Sequence, residues 1–210
     1  MRFDSVLDDV LGTRAARALL RVLVRTAGGE YTGRDLARLV RMDNKSCSAA
    51  LEKLARHGVV QARTVGRARA YTLNHEHLLT DKVLRSLFAT ERGLLETLGA
   101  EINERLRKQG VDSTSIAIFG SVARRAETVE SDVDLLVIAP RIPSETAQEE
   151  IVDALAAFGL QRYGNRLQLF FETPETLRRK QRQRDRLVLE ILREARVIHG
   201  TESRELRRRG

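Results

Sequence analysis

Residues 116–137 read Ile116-Ala-Ile-Phe-Gly-Ser-Val-Ala-Arg-Arg-Ala-Glu-Thr-Val-Glu-Ser-Asp-Val-Asp-Leu-Leu-Val137, and this stretch decides the fold of the second half of the chain. The apolar run Ile116–Phe119 predicts a strand that breaks at Gly120-Ser121. After a polar segment, Val133–Ile138 predicts a second strand, headed by Asp132 and Asp134. Alternate residues of a strand share a face, so the two carboxylates project together. Like charges that close repel strongly unless a cation sits between them. Mg²⁺ (or Mn²⁺), held by one or two carboxylates and completed by nucleotide phosphates, answers that repulsion. Gly120 allows a tight turn and close backbone approach, and Ser121 adds a hydroxyl and an amide suited to a triphosphate.

This spacing resembles the signature of the DNA-polymerase-β-like nucleotidyltransferase superfamily, in particular its minimal nucleotidyltransferases. That signature runs Gly-Ser, an Arg three residues after the Ser, then Ser-Asp-x-Asp-Leu. Gly120, Ser121, Arg124, Ser131, Asp132, Asp134 and Leu135 match it in register. The resemblance implies a small mixed-sheet palm in which Asp132 and Asp134 are catalytic and hold the metal. It implies that Gly120, Ser121, Arg124 and Ser131 bind the nucleoside triphosphate. It also implies transfer of a nucleoside monophosphate to a hydroxyl of a protein, an RNA or a small molecule, with release of pyrophosphate. Members of the family often act as antitoxins that modify a helical toxin, which makes a toxin-like protein an expected partner.

Two departures stand beside the match. Arg125-Ala126 occupies the place of a common Gly-Glu pair, and Gln168 falls where the family's third metal-binding carboxylate is expected, on the strand Arg166–Phe171. An amide adds no charge and cannot act as a base. Glu172 is the nearest replacement, and it reaches the site only if the strand bends. The departures raise an alternative: a non-catalytic, nucleotide-sensing or antitoxin-like regulator with a degenerate transferase site.

The first third of the chain has a different character. Residues 11–75 hold 13 Arg/Lys against 4 Asp/Glu, a charge of +9, whereas residues 111–177 hold 5 against 11, a charge of −6. Such asymmetry suggests a polyanion-binding part joined to a cation-binding part. Ala16, Leu19, Leu20, Leu23 and Val24 fall at helical spacing within 14–25. Thr32 is a plausible N-cap for a helix carrying Leu36, Leu39 and Val40, and Asn44–Arg56 predicts a third helix with Cys47, Ala50, Leu51 and Leu54 inward. Gly58 closes it, and two strands follow, Val59–Thr64 and Arg69–Leu73. Three helices and a hairpin in this order resemble the winged helix-turn-helix of MarR- and ArsR-like regulators, including the passage Leu54–Val60. The resemblance implies that the third helix enters the major groove of double-stranded DNA and the wing contacts the backbone or minor groove. Asn44, Lys45, Ser46, Ser48 and Lys53 on the helix, with Arg63, Arg67 and Arg69 in the hairpin, are the candidate DNA contacts. Protein docking and RNA are the other readings of this module.

The remaining features set bounds. The expected fold class is α+β: a winged helix-turn-helix domain (1–78), a linking helix (79–110), a nucleotidyltransferase-like domain (111–200), as the resemblances imply, and a disordered tail (201–210). Leu84, Leu87, Phe88, Leu95, Leu98, Ile102 and Leu106 form one stripe over 81–109, with Gly93 as a potential break. This stripe and the habit of such regulators to read two half-sites predict a homodimer. Ser144–Phe158 predicts an amphipathic helix, and Pro174–His199 a terminal helix rich in arginine whose packed part carries Leu187, Leu189, Ile191 and Leu192. His57 and His199, each before a Gly, suit helix ends, and His75-Glu76-His77 caps the element that follows. No apolar run approaches the ~20 residues of a membrane span, and the start lacks a secretory pattern. A lone cysteine excludes an internal disulfide, so the expected location is cytoplasmic.

Overall fold

The structure, a computed structural model, describes residues 3–26 and 28–201; the expected tail lies outside the described residues from Glu202 onward. The chain divides between Gly93 and Leu94 into two compact units.

In the first unit, α1 (Val6–Leu11) leads to α2 (Arg14–Arg25), whose N-cap Thr13 accepts from the Ala16 amide at 3.0 Å. A two-residue strand β1 (Tyr31–Thr32) precedes α3 (Gly33–Val40), and a left-handed Arg41 (φ 53) ends α3 and turns the chain toward α4 (Asn44–Arg56). Asp43 caps α4 through the Ser46 amide at 2.8 Å. Strands β2 (Val60–Val65) and β3 (Ala68–Leu73) form the wing, and the sheet order is β1-β3-β2, all antiparallel. Leu19, Leu20, Leu23, Leu36, Leu51 and Leu54 are wholly buried where α2, α3 and α4 meet. Leu39, expected inward, is 53% exposed. The buried stripe of α3 centres on Leu36, Ala37 and Val40, and Leu39 lies roughly 110° away from that centre at 100° per residue.

The stripe over 81–109 is not one helix. A π-helical turn (Thr80–Leu84) and α5 (Arg85–Arg92) belong to the first unit, while α6 (Leu94–Lys108) belongs to the second. Gly93 stops α5, and Leu84 and Phe88 pack with the first core while Leu98, Ile102 and Leu106 pack with the second.

The second unit is built on β4 (Ser115–Phe119), the short helix α7 (Gly120–Arg124), β5 (Val133–Ile138), α8 (Glu145–Tyr163) and β6 (Leu167–Glu172). Two further helices, α9 (Pro174–Arg182) and α10 (Arg186–Glu194), and a last strand β7 (Arg196–Gly200) complete it. The sheet order is β6-β5-β4-β7; β5 and β6 run parallel through the α8 crossover and the other pairs are antiparallel. Period-two alternation sorts the sheet into two faces. Ile116, Ile118, Leu135 and Val137 share one core with residues of α6 and α8, including Ile102 and Leu155. Ala117, Phe119, Leu136 and Ile138 share the other with Leu177, Val188 and Ile191 of α9 and α10.

The expected terminal helix 174–199 is corrected to two helices and a strand. Arg184 adopts φ 56, which a helix does not tolerate, and Asp185 restarts the helix by accepting from the Val188 amide at 3.0 Å. Leu187 and Leu189 are 54% and 40% exposed; the interior positions are Val188 and Ile191. His199 lies in β7 beside Ile116 rather than at a helix end. Pairing to the free edge of β4 gives this segment's backbone groups partners that a helix end would have left open.

Candidate functional site

The end of β4, the start of β5 and the start of β6 form one row: Phe119 pairs with Asp134, and Asp134 with Gln168. The row puts Asp134 and Gln168 on the face covered further along by α9 and α10, and Asp132 precedes β5 with the same parity. Gly120 begins α7 with φ +68, and a Cβ there would lie 2.3 Å from Asp134 Oδ2. Only glycine permits both the left-handed backbone and that approach. Burial, reinforced by the negative charge of Asp132, pushes the Asp134 carboxyl above the usual carboxylate range, and the charge of Arg124 partly opposes the shift.

The other expected residues divide. Ser121 sits half-buried in the first turn of α7, directly after Gly120. Arg124 closes α7 and donates through Nη1 to Glu194 of α10 at 2.6 Å, so α10 holds it beside the carboxylates. Ser131 serves the loop: its hydroxyl accepts from the Thr128 amide at 2.9 Å, and its carbonyl accepts from Asn165 Nδ2 at 2.9 Å. It therefore fixes the entry to Asp132 from within the loop.

The third position is filled by an amide. Gln168 Nε2 donates to Asp132 Oδ2 at 2.5 Å. Glu172 is no substitute. It lies four residues along β6, about 13 Å at ~3.3 Å per residue. There it accepts from Thr176 Oγ1 at 2.5 Å and from Lys180 Nζ. Among the described residues no cluster of three or more His, Cys, Asp or Glu has a metal-binding arrangement. The donor set of Asp132 and Asp134 fits one divalent cation completed by phosphate oxygens, and it lacks the acid that a second cation needs. Glu194, Asn165 and the bond from Gln168 to Asp132 escaped the sequence reading of the site, because each partner lies 34 to 70 positions away.

In the first unit, Asn44, Lys45, Ser46 and Ser48 are exposed along the outer face of α4, and Arg67 and Arg69 are exposed around the wing turn at Gly66 (φ +59). Two expected contacts have partners already. Lys53 Nζ bonds Asp9 of α1 at 2.9 Å, and the Arg63 guanidinium grips Glu30 with two nitrogens. Hydrogen bonding to Arg63 in turn holds the Glu30 carboxyl below its usual range. Arg69 lies over Tyr71, 5.9 Å from the ring centroid. Within the expected capping stretch 75–77, His77 performs the capping, with Nδ1 accepting from the Leu79 amide at 3.2 Å, while His75 meets Arg85. Cys47 is fully buried, and burial pushes its thiol up.

Residues 100–203 match the family model described as a nucleotidyltransferase domain, so the C-terminal half of this chain carries such a domain. The N-terminal unit resembles winged-helix regulators. One is the antimony-specific transcriptional repressor AntR, at 26% identity over 44% of this chain and 77% of that one, with a TM-score of 0.36. A toxin–antitoxin structure with AMP-PNP matches at 21% identity over 51% and 77% of the two chains, with a TM-score of 0.38. The complex of tri-AMPylated Shewanella oneidensis HEPN toxin with MNT antitoxin matches at 20% identity over 52% and 72%, with a TM-score of 0.34. No curated protein matches the chain. Among the described residues no helix is long and apolar enough to cross a membrane.

Proposed function

We propose that this chain is a DNA-binding transcriptional regulator whose C-terminal unit binds a magnesium–nucleoside triphosphate and transfers a nucleoside monophosphate to a hydroxyl. One observation carries the reading: Asp134, which shares its parity with Asp132, stands against a Gly120 that has no room for a side chain. Asp132 and Asp134 would hold Mg²⁺, which supplies charge neutralisation for the phosphates when bound. The first amides of α7 and the Ser121 hydroxyl cradle the outer phosphates, and Arg124, steadied by Glu194, keeps a positive charge beside them. Gln168 orients Asp132 through its amide and takes no proton. The acceptor is a hydroxyl of a protein, an RNA or a small molecule, and a helical toxin-like protein is the partner class we favour. The first unit reads double-stranded DNA with the outer face of α4 and the Arg67–Arg69 wing, as a homodimer in the cytoplasm.

A second reading is favoured by Gln168: a regulator that senses the nucleotide without transferring it. Without a third carboxylate, the site has neither a second cation's ligand nor a base placed on the acceptor. Incubation with radiolabelled nucleoside triphosphates, Mg²⁺ or Mn²⁺ and host lysate separates the two. Label on an acceptor that disappears in Asp132→Ala/Asp134→Ala establishes transfer. Mg²⁺-dependent nucleotide binding with no label under any condition establishes the sensor.

A further inference from the structure

Phe170 is the one aromatic among the exposed large apolar side chains of the described residues, at 37% exposure. It follows Gln168 by two residues on β6, on the same face, in register with Leu136. Its ring meets Phe119 edge-on, with centroids 5.3 Å apart and planes at 64°; Phe119 in turn pairs with Asp134. Phe119 is buried, so it fixes the orientation of Phe170 while leaving part of that ring open. β6 is an edge strand of the sheet.

We propose that the open face of Phe170 is the platform on which the nucleobase of the bound nucleotide stacks, an inference that rests on the nucleotide reading above. Two residues along a strand span about 7 Å. That matches the reach of a ribose from an α-phosphate at Asp132 and Asp134 to its base. A ring face reads the π-surface that every base has, so the platform accepts purine and pyrimidine nucleotides alike, with purines the tighter. It separates the two ends of the ligand: phosphates are held by α7 and the carboxylates, and the base by an apolar surface.

The chain contains no tryptophan, so Phe170→Trp installs a single indole reporter. In the full chain, Mg²⁺–ATP should change the indole emission saturably, whereas Mg²⁺–tripolyphosphate, which has no base, should not. Calorimetry of Phe170→Ala should show Mg²⁺–ATP binding weakened by about tenfold or more, with tripolyphosphate binding unchanged. If Phe170→Ala binds Mg²⁺–ATP as the wild type does and the indole is silent, the base lies elsewhere and the proposal falls, while the nucleotide reading survives. If Phe170→Ala loses both ligands equally, Phe170 supports the site's shape and the proposal also falls. If the wild type binds neither ligand, the nucleotide reading itself fails and takes this inference with it.

Discussion

The two units use charge in opposite ways. In the first, cations on the surface are partly answered by nearby acids: Arg63 by Glu30, Lys53 by Asp9, Arg21 by Glu91 through a bidentate pair at 2.6 Å. Of the five cations among the candidate DNA contacts, Lys45, Arg67 and Arg69 have no ion pair among the described residues. In the second, two carboxylates are brought together, and the guanidinium that bears on them, Arg124, is bonded to Glu194 instead. A like-charge pair is costly to fold, so its presence is itself a sign of a ligand. A pair of neutralised charges is a sign of structure. Net charge per segment therefore does not tell which charges are committed to structure and which stand open to a ligand.

The sharpest way to break this comparison is to remove the acidic pair. Asp132→Ala/Asp134→Ala should abolish Mg²⁺-dependent thermal stabilisation by ATP or GTP and leave DNA binding intact; retained stabilisation would place the nucleotide elsewhere. Next in size, Arg67→Glu/Arg69→Glu should weaken duplex binding. The slope of log K against log salt, measured by anisotropy across a salt series, should fall by about 1 for each phosphate no longer neutralised. An unchanged slope would remove the wing from the interface. Glu30→Gln should act in the opposite direction. Freed from its carboxylate, Arg63 becomes available to phosphate, and the slope should steepen by up to about 1. Its absence would mean that Arg63 faces away from DNA altogether.

The smallest effect tests the electrostatics of the acidic pair. Asp134 has a carboxyl raised in the folded state, so its ionisation opposes folding as pH rises through and above the ordinary carboxylate range. Asp134→Asn should therefore raise the melting temperature of the ligand-free protein near neutral pH by roughly 2–4 °C, part of the burial cost being screened by solvent. The gain should shrink as pH falls below the ordinary carboxylate value, where the wild-type side chain is neutral in both states. A stabilisation that persists unchanged at low pH would assign the effect to packing.

Much of this was legible along the chain. The helices at 14–25 and 44–56 announced themselves by apolar spacing and caps. The wing followed from two short β-rich runs around a glycine, and the carboxylate pair from its alternation. The Gly-Ser turn was legible as a turn, though not as the short helix it starts. Where the reading failed, local pattern was overruled. The terminal segment 174–199 has a continuous helix-like composition, but left-handed Arg184 and the open edge of β4 divert it into α10 and β7. Leu39 and Leu189 are apolar residues that the packing leaves outside.

The sequence by itself determined the helices at 14–25 and 44–56, the wing and the acidic pair, because each depends on periodicity, turn chemistry or residues two positions apart. Only the tertiary structure decided what each charge does. It set Gln168 on Asp132, Glu194 on Arg124, Glu30 on Arg63 and Asp9 on Lys53, and it sent Glu172 to Lys180 at the far end of β6. The physical reason is reach. A strand or helix sets its own neighbours within a few residues, whereas an ion pair or hydrogen bond forms between whichever side chains folding brings within about 3 Å, however far apart they lie in the chain.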